Sequence, residues 1–331
     1  MRTENASSQP TKSRLERTLL EGHFALTLEI SPPVGPNRAA VERQIDLLRD
    51  YADAFNVTDN QSARVHTSSL AVSIMLKQAG LDPILQVTCR DRNRLGIQSD
   101  LLGASIHGIS NVLALSGDAP IWGDHPQTQG VFEIDSINLV RVLRMMRDDQ
   151  VFENGNEIPK IAPEFFIGAA ANPFAPPHDF RPLRLAKKVA AGAQFIQTQL
   201  IFNVPRFREY MKQVVAMGLH EKTAILAGIG PVRSLRAALF MKDEIAGMDI
   251  PNEIVERLKG LDKEEAAAEG VNICLEIAEE VRQIEGVKGF NVMAVSWSSI
   301  LPELATRMGL HPRPDVMDSP IAGLAPENDD S

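Results

Sequence analysis

At 331 residues and 44% hydrophobic content, the chain can bury a large core, enough for one big α/β domain or two ordinary ones. Its 34 Lys and Arg against 43 Asp and Glu leave a formal net charge of −9, which argues against nucleic acid or an anionic membrane surface as partner. Two distant cysteines, Cys89 and Cys274, outside any CxxC or Cys/His spacing, argue against a disulfide or zinc framework. With a polar N-terminus and no apolar stretch of ~18 residues, a cytoplasmic protein is expected.

Residues 1–20 read as a polar tail and lead-in, and 316–331 as a second polar tail, too poor in apolar residues to join a core. Between them, over 21–315, one grammar repeats: a short β-branched or aromatic run, a loop with Gly, Pro, Asn or Asp, then a segment of helical period. The first run, 24–31, alternates Phe24, Leu26, Leu28 and Ile30 with Ala25, Thr27, Glu29 and Ser31. The apolar set should face helices and the other set a barrel lumen. Runs follow at 54–59, ending on Thr58 and Asp59, at 83–89, followed by Arg90 and Asp91, at 111–117, followed by Asp118, and at 164–172, ending on Asn172. The sixth, 194–203, sets Gln197 and Gln199, with Phe195 and Ile201, against Ile196, Thr198, Leu200 and Phe202. The seventh spans 223–230, and the eighth, 289–297, ends on Ser296 and Trp297. Helical stretches lie between, at 38–51, 68–79, 135–149, 181–191, 204–217, 234–246 and 264–285.

Eight strands alternating with helices predict a single-domain α/β fold, the (β/α)8 TIM barrel. A doubly wound nucleotide-binding sheet would carry a glycine fingerprint after its first strand. Here the nearest candidate, Gly228-Ile229-Gly230, follows the seventh and lacks the third glycine.

In a barrel the chemistry sits at the C-terminal strand ends, and these ends are polar. Glu29, a carboxylate on an otherwise apolar strand, is either paired internally or carries a raised pKa suited to a general acid. Asp118, in Ser116-Gly117-Asp118-Ala119-Pro120, reads as a turn residue locally and as a site residue by position. Gln197 and Gln199 both donate and accept, which suits the reading of a heterocycle, or they bond neighbouring backbone. Arg90, Arg92 and Arg94 could hold phosphate or carboxylate groups, although a solvated loop and helix cap is the commoner explanation. Lys187 and Lys188, near a helix C-terminus, are accounted for by the helix dipole alone. The seven histidines show no HxxxH, HxH or HExxH spacing, so no metal site is expected.

Six blocks in this order resemble the methylenetetrahydrofolate reductase family, catalytic-domain type, over most of the chain from Phe24 to Pro312. They are 28–33 (LEISPP), 87–94 (VTCRDRNR), 111–120 (NVLALSGDAP), 191–202 (AGAQFIQTQLIF), 227–232 (AGIGPV) and 286–290 (GVKGF). The resemblance implies a (β/α)8 barrel holding FAD, with FMN the alternative flavin. NADH or NADPH would be the co-substrate, and hydride would pass to 5,10-methylenetetrahydrofolate to give 5-methyltetrahydrofolate. It places the general acid on Glu29, pterin binding on Asp118, and substrate reading on Gln199, with Gln197 beside it. Flavin contacts fall on Thr58, Gln86, Ser116, Gly117, Asp118, Asn172, Arg184 and Lys188. Four of these depart from the usual residues: Gln86 replaces a histidine, Ser116 an arginine, Asn172 a tyrosine and Arg184 a short polar residue. Arg184 or Arg181 would then supply the charge lost at 116. The departures keep open a folate-binding barrel without flavin, acting as a partner subunit or using another electron donor. The same groups would also serve 5-methyltetrahydrofolate oxidation. A homo-oligomer is compatible with each reading.

Overall fold

The computed structural model describes residues 13–316 apart from Ala246; the expected tails at 1–12 and 317–331 lie outside the described residues. Eight parallel strands close on themselves in sequence order, with β8 pairing β1. They are β1 Ala25–Ile30, β2 Ala54–Val57, β3 Pro83–Thr88, β4 Asn111–Leu115, β5 Phe166–Ala171, β6 Phe195–Leu200, β7 Ala224–Ile229 and β8 Val287–Val292. The helices are α1 Arg14–Leu20, α2 Arg38–Leu48, α3 Ser69–Gln78, α4 Arg94–Ile106, α5 Ser136–Arg144, α6 Phe180–Ala191, α7 Val204–Ala216, α8 Leu235–Glu244, α9 Asn252–Leu258, α10 Lys263–Arg282 and α11 Leu301–Arg307. The architecture is the expected (β/α)8 barrel.

Period-two alternation divides the apolar residues into two cores. Leu26, Leu28 and Ile30 face outward and pack with Val41, Ile45 and Leu48 of α2. Ala25, Ala54, Ile84, Leu113, Phe166, Phe195 and Leu226 face inward and fill the lower lumen, where Leu15 of α1 plugs the floor. Phe166 and Phe195 stack there with centroids 5.0 Å apart. A Cβ on Gly168 would sit 2.2 Å from the Phe195 ring, so β5 needs glycine at that point. Helix starts are set by side-chain caps: Asn37, Ser68, Asn93, Asp135, Asn203, Ser234 and Asp262 each accept from a first-turn N–H.

Four local expectations change. Residues 14–20, read as lead-in, form α1, capped by Ser13 and fixed by the Arg14 N–H on Asp82 Oδ2 at 2.9 Å. Val316, assigned to the C-terminal tail, is buried and its carbonyl accepts from Arg17 at 2.9 Å. The eighth strand stops at Val292, because the chain turns from Ala294 to Trp297 through a left-handed Ser296. In β6 the register shifts between Gln197 and Leu200, with Gly228 N–H bonded to Thr198 Oγ1 at 2.8 Å, and Ile201 joins the helix-facing core instead of the lumen.

Candidate functional site

The C-terminal strand ends open into a cavity of about 580 Å³. Its lining includes every residue to which the family resemblance gave a role: Glu29, Thr58, Gln86, Ser116, Gly117, Asp118, Asn172, Arg184, Lys188, Gln197 and Gln199. Thr88 and Arg90 join them from the third strand end, whereas Ser296 and Trp297 do not line it. Their place is taken by Asn291, Met293 and Val295.

Glu29 enters from β1 with the lumen-facing set, part of its surface open to the cavity. No described residue gives its carboxyl a hydrogen bond or ion pair, and desolvation alone lifts its pKa from 4.5 to about 7. Of the two readings left open by the sequence, no internal partner is found among the described residues, and burial favours the protonated carboxyl.

Asp118 lies exposed on the β4–α5 loop, and its Oδ2 accepts the Ser62 N–H at 3.1 Å. Gly117 before it has φ +88°, and a Cβ there would come within 2.9 Å of Arg90 Cβ, so the backbone approaches the β3 loop as only glycine allows. Arg90 is almost fully buried. It forms a bidentate pair with Asp91 at 2.7 Å and donates to the Asn60 carbonyl at 3.0 Å, tying the loops after β2 and β3. Arg92 bonds Asp59 and Asp100, and Arg94 bonds Glu133 and Glu153. This cluster is a clip for the strand ends: Asp59 also accepts the Thr88 N–H at 2.8 Å and the Thr88 hydroxyl at 3.0 Å.

The two glutamines differ in use. Gln199 turns its Oε1 to the Leu200 N–H at 2.9 Å, the neighbouring-backbone bond foreseen as its alternative role. Gln197 donates to Thr27 Oγ1 at 3.3 Å inside the barrel. Beside them, at the end of β5, Asn172 accepts from the Phe174 and Ala175 N–H groups at 3.0 and 3.2 Å, which shapes the β5–α6 loop. Ser116 bonds Ser136 at the start of α5 at 3.2 Å, and Thr58 bonds Gln61 at 2.8 Å.

Helix α6 presents Arg181, Arg184 and Lys188 to the cavity, three cations on one helical face. Lys188 does not serve the helix C-terminus, as its spacing suggested. It is buried against β5, donating to the Ala170 carbonyl, and burial first, then the Arg184 charge, brings its pKa from 10.5 down to about 8. Arg181 is spent on the Ala175 carbonyl at 2.6 Å and on the Pro176 carbonyl. Arg184 makes no hydrogen bond or ion pair to a described residue, so a guanidinium is left at the wall for an anion. Among the described residues no group of three His, Cys, Asp or Glu is placed to hold a metal ion, and no helix is long and apolar enough to cross a membrane.

Asn291 went unnoticed in the sequence, although a polar residue between Phe290 and Val292 carried the same signal that exposed Glu29. Its Oδ1 accepts from Thr27 and Asn56 at 2.9 and 2.8 Å, forming a polar layer beneath Glu29.

Comparison with known proteins supplies the context. The family described as "Methylenetetrahydrofolate reductase" matches residues 14–309. A probable methylenetetrahydrofolate reductase (NADPH) of Caenorhabditis elegans is 25% identical over 312 residues, covering 90% of this chain and 44% of its own. The 5,10-methylenetetrahydrofolate reductase of Salmonella typhimurium is 25% identical over 299 residues, 88% of this chain and 93% of its own. The chain thus spans less than half of the worm relative and nearly all of the bacterial one. A solved structure from Clostridium thermocellum, an uncharacterized protein that binds two copies of 5-methyl-5,6,7,8-tetrahydrofolic acid, superposes with a TM-score of 0.64 at 16% identity. That match covers 90% of this chain and 98% of the other, and it shows the shared fold.

Proposed function

The chain belongs to the methylenetetrahydrofolate reductase family, and from that premise we propose that its cavity interconverts 5,10-methylenetetrahydrofolate and 5-methyltetrahydrofolate, with Glu29 as the general acid. The observation that carries the reading is the unpaired Glu29 carboxyl, pushed up to about 7 in a cavity wide enough for a folate ring system. The N10 nitrogen of the folate is a poor leaving group until protonated, and an acid with this pKa is half loaded at neutral pH. Asp118 faces the cationic iminium that ring opening creates. Water screens its charge at the exposed mouth until the substrate covers it. Gln199 keeps its NH2 group for the pterin while its carbonyl is held by Leu200.

The donor set also fits a flavin dinucleotide. Arg184, unpaired at the wall, and Lys188 would hold the pyrophosphate, which offsets the serine at 116. Thr58, Gln86, Ser116 and Asn172 line the same side, and the left-handed Gly117 lets backbone come close to a flat ring. When bound, FAD supplies the two-electron link between NADH or NADPH and the folate. Glu29 holds the proton, Lys188 and Arg184 neutralise phosphate, and the lumen floor excludes bulk water.

An absorbance spectrum of the purified protein, followed by additions of NADH, NADPH and 5,10-methylenetetrahydrofolate, tests this reading. A bound flavin that bleaches with a nicotinamide and reoxidises with the folate supports it. Colourless protein that takes up no flavin but binds folate would replace it with the folate-binding barrel lacking flavin.

A further inference from the structure

Beneath Glu29 the barrel carries a polar layer that the reaction outlined above does not use. Thr27 of β1 pairs in register with Asn291 of β8, two residues below Glu29 on the same inward face. A threonine hydroxyl has a single proton. Here Thr27 donates it to Asn291 Oδ1 at 2.9 Å and accepts from Gln197 Nε2 at 3.3 Å. Asn56 Nδ2 donates to the same Asn291 oxygen at 2.8 Å. With two donors on its oxygen, the Asn291 amide is fixed and its NH2 group points away from them. Gln197 has spent its NH2 group on Thr27, so its carbonyl oxygen remains. Neither Asn291 Nδ2 nor Gln197 Oε1 is among the buried polar atoms that lack a partner, and both residues line the cavity. Both atoms are therefore open to the cavity, one a donor and one an acceptor, on side chains joined through the Thr27 hydroxyl.

We propose that Asn291 is a ligand-binding residue that, together with Gln197, grips the oxo-pyrimidine edge of a heterocycle seated in the depth of the cavity. That edge offers a carbonyl acceptor next to an N–H donor, the complement of the Asn291 N–H and the Gln197 carbonyl. The proposal rests on the functional reading above, because pterin and flavin both carry this edge. A purely structural layer is a poor alternative explanation. Asn56 Oδ1 is buried with no partner, a cost that apolar side chains at these positions would avoid.

The test is calorimetric titration of 5-methyltetrahydrofolate and, separately, of FAD into the full chain and its variants, with thermal unfolding in parallel. Asn291→Asp keeps the oxygen that Thr27 and Asn56 bond but replaces the NH2 group with an acceptor. It should fold like the parent and bind one of the two ligands about 10- to 100-fold more weakly. The ligand that loses affinity identifies the ring in the depth. Thr27→Val, which leaves the Asn291 oxygen held by Asn56 alone and releases the Gln197 NH2 group, should weaken the same ligand by a smaller factor, about 3- to 10-fold. Both ligands binding folded Asn291→Asp within twofold of the parent would overturn the inference and leave the functional reading standing. A parent that binds neither ligand overturns both. Should Asn291→Asp not fold, Thr27→Val decides by the same twofold criterion.

Discussion

Replacing Glu29 by Gln should stabilise the protein, and increasingly so as pH rises. The carboxyl has an ordinary pKa of 4.5 in the unfolded chain and about 7 in the fold, a raised value caused by desolvation. The folded state therefore holds the proton more tightly. Its stabilising contribution is complete below pH 4.5, is lost as pH rises from 4.5 to 7, and is gone above 7. A shift of this size corresponds to roughly 3 kcal/mol at most, at 1.36 kcal/mol for each unit. Part of the carboxyl faces cavity water, so about 2 kcal/mol is the better expectation. Glutamine has the same shape and no proton to lose. Thermal unfolding of both proteins at pH 5 and pH 8.5 should show the variant gaining on the parent by about 1–2 °C for each kcal/mol. A difference between the two proteins that stays constant with pH would show that Glu29 ionises as an ordinary surface carboxylate, and the assignment of the acid would go with it.

Other perturbations separate the walls of the cavity. Arg184→Gln removes a guanidinium that bonds no described residue, so FAD affinity should fall about 10-fold or more with the melting temperature unchanged, as read by flavin retention on dialysis. Asp59→Ala should cost about 1–3 kcal/mol in urea unfolding, since it leaves the buried Thr88 donors without their acceptor and Arg92 with Asp100 alone. Gly117→Ala places a Cβ 2.9 Å from Arg90 in a left-handed conformation; a loss of about 1–3 kcal/mol and weaker flavin binding should appear together.

The barrel was legible because its strands alternate so regularly. Leu26, Leu28 and Ile30 against Ala25, Thr27 and Glu29 is enough to assign inside and outside, and the structure keeps that assignment. Alternation fails where the backbone leaves the ladder. The β6 register shift carries Ile201 to the helix side, and the turn at Ser296 removes Trp297 from the site, neither of which a period-two pattern encodes. For Lys188 the helix-dipole reading fails for a different reason, while the position it takes in the cavity wall is the one the family resemblance gave it. Its position near the helix end has a sufficient local explanation, and only the packing of α6 on β5 shows that the side chain runs inward. The arginines at 90, 92 and 94 look solvated in sequence, because their carboxylate partners, apart from Asp91 and Asp100, come from other loops: Asp59, Glu133 and Glu153. The short α1 was overlooked because its only fully buried apolar anchor is Leu15, within an otherwise polar stretch.

If Glu29 delivers the proton that opens the folate ring, single-turnover kinetics of the Glu29→Gln protein will separate the two half-reactions. The enzyme would first be reduced anaerobically with NADH or NADPH and then mixed with 5,10-methylenetetrahydrofolate. The nicotinamide half-reaction should persist, while formation of 5-methyltetrahydrofolate slows by roughly two to four orders of magnitude. Folate reduction at the parental rate, or equal loss of both half-reactions, would contradict that role of Glu29.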